Sequence, residues 1–205
     1  MNIFYTLYDK LYVNITNRCS CACIFCIRKY GEGVGSADSL RLPREPDLEE
    51  IKSAFDLVIS EREAFSEVVF CGFGEPMERA ETVIKTCEYI KQKCSLPVRL
   101  NTNGLVRLID PDFDMSGLKI FDSVSVSLNA DDEAEYLRVT KPRFGGGAYS
   151  EMLTFTETAK KYTSVFFTVV DVIGEERIAN CRKIAEKMNI PMRIRHFVRD
   201  NETYE

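Results

Sequence analysis

Leu11-Tyr12-Val13-Asn14-Ile15-Thr16-Asn17-Arg18-Cys19-Ser20-Cys21-Ala22-Cys23-Ile24-Phe25-Cys26 is a short β-rich run that opens into a loop with four thiols in eight residues. Within that loop Cys19, Cys23 and Cys26 follow the spacing Cys-x3-Cys-x2-Cys, which lets one stretch of chain turn three sulfurs toward a single centre. The count of three matters. An iron-sulfur cube held by four cysteines is closed and only transfers electrons, whereas one held by three leaves an iron open to a small molecule. Zinc is the first rival, because Cys23-x2-Cys26 is also knuckle spacing, and buried or redox-active thiols are the second. A structural zinc site usually adds a distant second pair. Cys71, Cys87, Cys94 and Cys181 contain no further Cys-x2-Cys, and the single histidine is His196.

Working outward from the loop, bulk composition narrows the setting. The 205 residues suit one domain spanning 1–205 with a sizeable core. A hydrophobic content of 45% with 29% charged residues is ordinary for a globular chain and argues against extensive disorder. The formal charge of −5 gives no reason to expect nonspecific binding to nucleic acid, although a local basic patch remains compatible with an anionic substrate. Met1-Asn2-Ile3-Phe4-Tyr5 lacks the basic and apolar segments of a secretory signal, and no apolar run is long enough to span a bilayer. These features predict a cytoplasmic protein without membrane partners, whose clustered cysteines serve metal or redox chemistry rather than disulfides.

After the cysteine loop, residues 28–46 contain Gly31, Gly33, Gly35, Pro43 and Pro46, which excludes a continuing helix. Its Arg28, Lys29, Arg41 and Arg44 read either as a solvated surface or as a positively charged lid. Asp47 is an N-cap candidate for an amphipathic helix carrying Ile51, Ala54, Phe55, Val58 and Ile59. From there strands are predicted at 67–71, 97–101, 122–128, 164–172 and 192–197. Helices are predicted at 79–93, 132–139, 150–162 and 175–188. Six strand-helix units, the last lacking its helix, imply a parallel sheet with helices packed outside. Continuously apolar runs such as Val68-Val69-Phe70 and Val165-Phe166-Phe167 suggest strands covered on both faces. Six units are too few for an eight-stranded barrel. The expected architecture is α/β, a partial (βα)6 TIM-like barrel, with a flat doubly wound sheet as the alternative.

The polar motifs all follow strands: the cysteines, then Gly72-Phe73-Gly74-Glu75-Pro76, then Thr102-Asn103-Gly104, then Ser127 and Asn129. In parallel α/β folds the carboxyl ends of strands share one face, where ligands bind. Each motif also has a plain structural reading. A glycine turn often links strand to helix, Asn-Gly favours a tight turn, and a Ser/Asn pair often satisfies local backbone.

The Cys-x3-Cys-x2-Cys loop with Phe25 before its last cysteine resembles the cluster loop of the radical S-adenosylmethionine (SAM) superfamily. Gly72-Phe73-Gly74-Glu75-Pro76 resembles that family's Gly-Gly-Glu-Pro motif, with Phe73 interrupting the paired glycines. The resemblance implies a [4Fe-4S] cluster on Cys19, Cys23 and Cys26, with Cys21 not a ligand. It further implies SAM held near Phe25, Gly72, Gly74, Glu75, Asn103, Ser127 and Asn129, with Glu75 on the cofactor's amino group. Reductive cleavage of SAM to a 5′-deoxyadenosyl radical and hydrogen abstraction from a substrate would follow, with a flavodoxin or ferredoxin as electron donor. Within the family the chain most resembles compact proteins associated with TatD-type hydrolases. Glycyl-radical activating enzymes and 7-carboxy-7-deazaguanine synthase are compact relatives, so the substrate is a small molecule or a protein. A zinc or iron-sulfur binding module is the non-enzyme alternative. Arg193 and Arg195 share one face of the last strand, with Arg199 beyond it. They are either a solvated edge or anchors for a substrate carboxylate or phosphate. Cys71 is expected to face the core, and His196 to be structural or substrate-facing.

Overall fold

The computed structural model describes residues 1–61 and 64–197. Seven strands form one sheet in sequential order: β1 (Phe4–Leu7), β2 (Lys10–Val13), β3 (Glu67–Phe70), β4 (Val98–Thr102), β5 (Ser123–Ser127), β6 (Ser164–Val170) and β7 (Met192–Arg195). β1 and β2 pair antiparallel, and every later pair is parallel. A doubly wound sheet needs a reversal of strand order, and none occurs here. The sheet winds one way, and among the described residues β7 and β1 do not pair, so the barrel is partial and not closed.

Among the described residues six α-helices accompany the strands: α1 (Leu48–Glu61), α2 (Ala80–Lys93), α3 (Val106–Ile109), α4 (Glu133–Thr140), α5 (Ala148–Ala159) and α6 (Glu175–Lys187). α1 starts with a capping box. Asp47 Oδ1 accepts from the Glu50 N–H at 2.9 Å, and Glu50 Oε2 accepts from the Asp47 N–H at 2.9 Å, satisfying two helix-terminal donors reciprocally. Its apolar stripe buries Ile51 and Phe55 completely, each contributing roughly 1.5–3 kcal/mol.

Alternation within each strand decides which side the helices cover. Leu11, Val13, Val68, Phe70, Leu100, Val124, Val126, Phe167 and Val169 join the helical side chains in the main core. The opposite face carries Lys10, Tyr12, Glu67, Arg99, Asn101, Ser123, Ser125, Ser127 and Thr168. It is polar over most of its extent but also carries the buried Val69 and Phe166, so the apolar runs Val68-Val69-Phe70 and Val165-Phe166-Phe167 are covered on both faces as expected. Ser123-Val124-Ser125-Val126-Ser127 shows the rule most plainly, with valines out to the helices and serines in.

β1 was not predicted. It is a four-residue edge strand whose turn uses Tyr8 at φ 55° in place of the usual glycine or asparagine, so it carries no turn signal. The segment after the cysteine loop packs back on this edge. Ala37 and Leu40 form a small apolar cluster with Tyr5 and Phe73, and Ser36 exchanges hydrogen bonds with Thr6.

Candidate active site

The carboxyl ends of β2 to β7 surround an open cavity of about 210 Å³. Of the twelve residues predicted for cluster, cofactor or substrate, eleven line it; Arg193 does not. Arg193 lies one step down its strand, with its guanidinium 4.1 Å above the Phe166 ring.

The cysteine loop is moulded by backbone contacts. The Ala22 N–H donates to Thr140 O (2.9 Å), the Ile24 N–H to Val139 O (2.8 Å), and the Arg143 N–H to Ser20 O (2.8 Å). Carbonyls left open at the C-terminal end of α4 therefore take up loop donors. Arg28 donates to Asn17 O and Lys29 to Cys23 O, while Arg44 is engaged by Glu50. These contacts correct the idea of a charged lid: two of the basic residues brace the loop and a third serves the start of α1. Two cations beside three thiols favour a negatively charged metal-thiolate group there.

Cys19, Cys21, Cys23 and Cys26 all reach the cavity. Burial pushes the Cys19 thiol up to about 12. Close approach of the Cys21 and Cys23 thiols, together with burial, raises the former, while the same approach lowers the latter. Among the described residues no three His, Cys, Asp or Glu side chains converge on a point suitable for one metal ion. Cys71 also lines the cavity, correcting its assignment to the core. Val68 and Phe70 point outward, so strand parity turns Cys71 inward.

Close packing explains the glycines of the second motif. A Cβ on Gly72 would sit 2.2 Å from Asn14 Oδ1, and one on Gly74 2.2 Å from Thr16 O and 2.6 Å from Arg18 O. The motif thus lies directly against the chain that leads into the cysteine loop. Phe73 turns into the apolar cluster with Tyr5 and Leu40, which is how a large side chain is accommodated between the two glycines.

Glu75 is buried, and its carboxylate serves the neighbouring turn. Oε1 accepts from Thr102 Oγ1 (2.7 Å) and the Met77 N–H (3.1 Å), and Oε2 accepts from the Asn103 N–H (2.7 Å). Burial raises its pKa to about 7 against the opposing pull of these bonds. Three of roughly four carboxylate acceptor sites are occupied by the chain itself, which leaves one for a ligand. Asn103 Nδ2 donates to Ser20 Oγ (3.0 Å) and so ties the Thr-Asn-Gly turn to the cysteine loop. Asn129 adopts φ 54°, and its Oδ1 accepts from the Val170 N–H.

Several lining residues were not predicted: Asn101, Tyr136, Thr140, Thr168 and Phe197. Inner-face parity would have found Asn101 and Thr168, but only the docking of α4 on the loop brings Tyr136 and Thr140 there. His196 lines the rim with Nδ1 2.9 Å from Asp171 Oδ2, and Phe197 meets Tyr30 edge-on at 5.1 Å. Arg199 lies outside the described residues.

The family model described as the radical SAM superfamily matches residues 13–188. Among curated proteins none matches the sequence. Of solved structures, anSMEcpe with bound AdoMet aligns at TM-score 0.65 and 16% identity, over 95% of this chain and 54% of that one. The FeFe-hydrogenase maturase HydG from Carboxydothermus hydrogenoformans aligns at TM-score 0.58 and 14% identity, over 98% and 47%. Archaeal TYW1 aligns at TM-score 0.54 and 12% identity, over 95% and 68%. The chain therefore spans about half the length of the first two structures, and at these identities the likeness is one of fold.

Proposed function

The chain belongs to the radical SAM superfamily, whose enzymes use a [4Fe-4S] cluster and SAM, and from that premise we propose that its cavity binds both groups within a single core domain. The observation that carries this reading is that one loop delivers Cys19, Cys23 and Cys26 to the same cavity as the motifs after β3, β4 and β5. In this reading the three thiolates hold the cluster, braced by Arg28 and Lys29 through the loop backbone. When bound, the cluster and SAM supply a one-electron cleavage of the sulfonium that yields a 5′-deoxyadenosyl radical able to take hydrogen from a substrate.

The chain's own work is positioning and exclusion of solvent. Glu75 has one acceptor site left for the cofactor's amino group, while its other bonds hold the Thr102-Asn103 turn in place. Gly72 and Gly74 keep their backbone against the approach to the cysteines. Phe25 supplies an apolar wall beside Cys26, and Asn103, Ser127 and Asn129 offer polar groups for the remaining parts of SAM. Cys21, which lies outside the Cys-x3-Cys-x2-Cys spacing, is not a ligand. Arg195 faces the substrate side, with Arg193 behind it. The electron comes from a small redox protein of the flavodoxin or ferredoxin kind. No helix among the described residues is long and apolar enough to cross a membrane. The narrower likeness to TatD-associated proteins rests on sequence resemblance alone.

Anaerobic reconstitution with iron and sulfide, then SAM and a chemical reductant, tests the proposal. Slow release of 5′-deoxyadenosine is expected. It should be abolished in Cys19→Ala, Cys23→Ala and Cys26→Ala and retained in Cys21→Ala. One bound zinc with no 5′-deoxyadenosine would replace this reading with that of a binding module.

A further inference from the structure

The inner face of the sheet carries positive charge that the chain around it does not neutralise. Strand parity turns Lys10, Arg99, Arg193 and Arg195 to that side, and Glu67 is the one carboxylate on the inner face of the seven strands. Glu67 is already shared. It accepts from Lys10 Nζ at 2.9 Å and from Arg99 Nε and Nη2 at 3.0 and 2.9 Å. Arg193 and Arg195 form no ion pair among the described residues, and Arg195 opens onto the cavity. Four cations against one anion leave a surplus of three positive charges on this face, with Arg193 and Arg195 exposed at its edge, in a chain whose formal charge is −5. A partly enclosed face of one sign concentrates the field and attracts ligands of the other.

The hydrogen-bond donors at the cavity wall point the same way. Arg99, whose side chain is 12% exposed, donates Nη1 to Asn101 Oδ1 at 2.9 Å. With its oxygen engaged, Asn101 has its amide N–H groups left to offer the cavity it lines. Most of the acceptor capacity nearby is engaged: Glu75 serves Thr102, Asn103 and Met77 and keeps only the one site assigned to the SAM amino group, and Asp171 serves His196 and the Phe197 N–H. Donors without charged acceptors recognise an anion.

The geometry points to a substrate bearing a carboxylate or phosphate group, received by the Arg195 guanidinium and the Asn101 amide, with Arg99 as a positioning residue behind Asn101. This inference rests on the reading of the cavity as a radical SAM site. SAM itself carries a carboxylate, so the test must separate the two sources of negative charge.

Reconstituted protein is titrated by calorimetry with SAM, with inorganic phosphate and with succinate, each alone. The wild type should bind phosphate or succinate, the preferred probe identifying the anion. Arg195→Gln should weaken that binding by about tenfold or more, and Arg195→Lys should recover part of it. SAM affinity should stay within about twofold in both variants, which also shows that they fold. Joint loss of SAM and anion affinity in Arg195→Gln would assign the guanidinium to the SAM carboxylate and overturn the substrate class. Absence of anion binding in the wild type, or equal binding in Arg195→Gln, would overturn it as well. A wild type that takes up no iron and binds no SAM fails the functional reading itself, whatever its anion affinity.

Discussion

Glu75 shows how one side chain couples the site to the stability of the fold. Its carboxyl is buried and raised to about 7, so the folded state holds the proton more tightly than the unfolded chain, where a glutamate titrates near 4.3. The resulting stability is fully present below the unfolded value and is lost as pH rises through about 7. For cluster-free protein the loss between pH 4.5 and 8 should be on the order of 2–3 kcal/mol. Glu75→Gln, which cannot titrate, should flatten that slope even though it lowers stability overall. Urea unfolding at several pH values measures both, and an unchanged slope in the variant would show that the carboxyl does not titrate there. The candidate positions were legible because reactive residue types follow strand ends. That Glu75 spends most of its capacity on the next turn was not, because its partners Thr102 and Asn103 lie 27 and 28 residues away.

At the scale of elements, the cysteine loop depends on α4. The helix opens with Asp132, whose side chain accepts from the Glu135 N–H, and closes with Lys141 in the left-handed region at φ 46°. That turn carries Pro142 against Cys21 and sends the Arg143 N–H to Ser20 O. A residue with a Cβ gives up roughly 1 kcal/mol in this conformation, and a β-branched one more. Lys141→Gly should therefore leave the cluster-free protein at least as stable. Lys141→Val should cost about 1–2 kcal/mol and lower the iron retained after reconstitution. Thermal melts with iron analysis provide the comparison, and identical iron content in the two variants would mean that the loop does not need this turn. The helix itself was readable from its N-cap and apolar spacing. Its service to a loop about 120 residues earlier was not, since an open carbonyl at a helix end leaves no mark in the sequence.

Across the whole molecule, the one-way sheet leaves an unequal distribution of support. β4 and β5 are paired on both sides, whereas β7 has four residues and among the described residues pairs with β6 alone. Hydrogen exchange should accordingly show β4 and β5 amides opening only with global unfolding, and β7 amides opening at lower free energy. Protection of β7 equal to that of β5 would contradict this picture. Since β7 carries Arg193 and Arg195, binding of the anionic probe should raise its protection selectively. Taken alone, the sequence determined the alternation of strands and helices, the thiol spacing and the placement of motifs at strand ends, because these are local properties of periodicity and residue chemistry. Only the tertiary structure decided that the sheet winds in one direction, that β1 adds an antiparallel edge, and that the inner face is largely polar outside the apolar runs of β3 and β6. Those outcomes depend on which strands pair and which face the helices cover, and contacts between residues far apart in the chain set both.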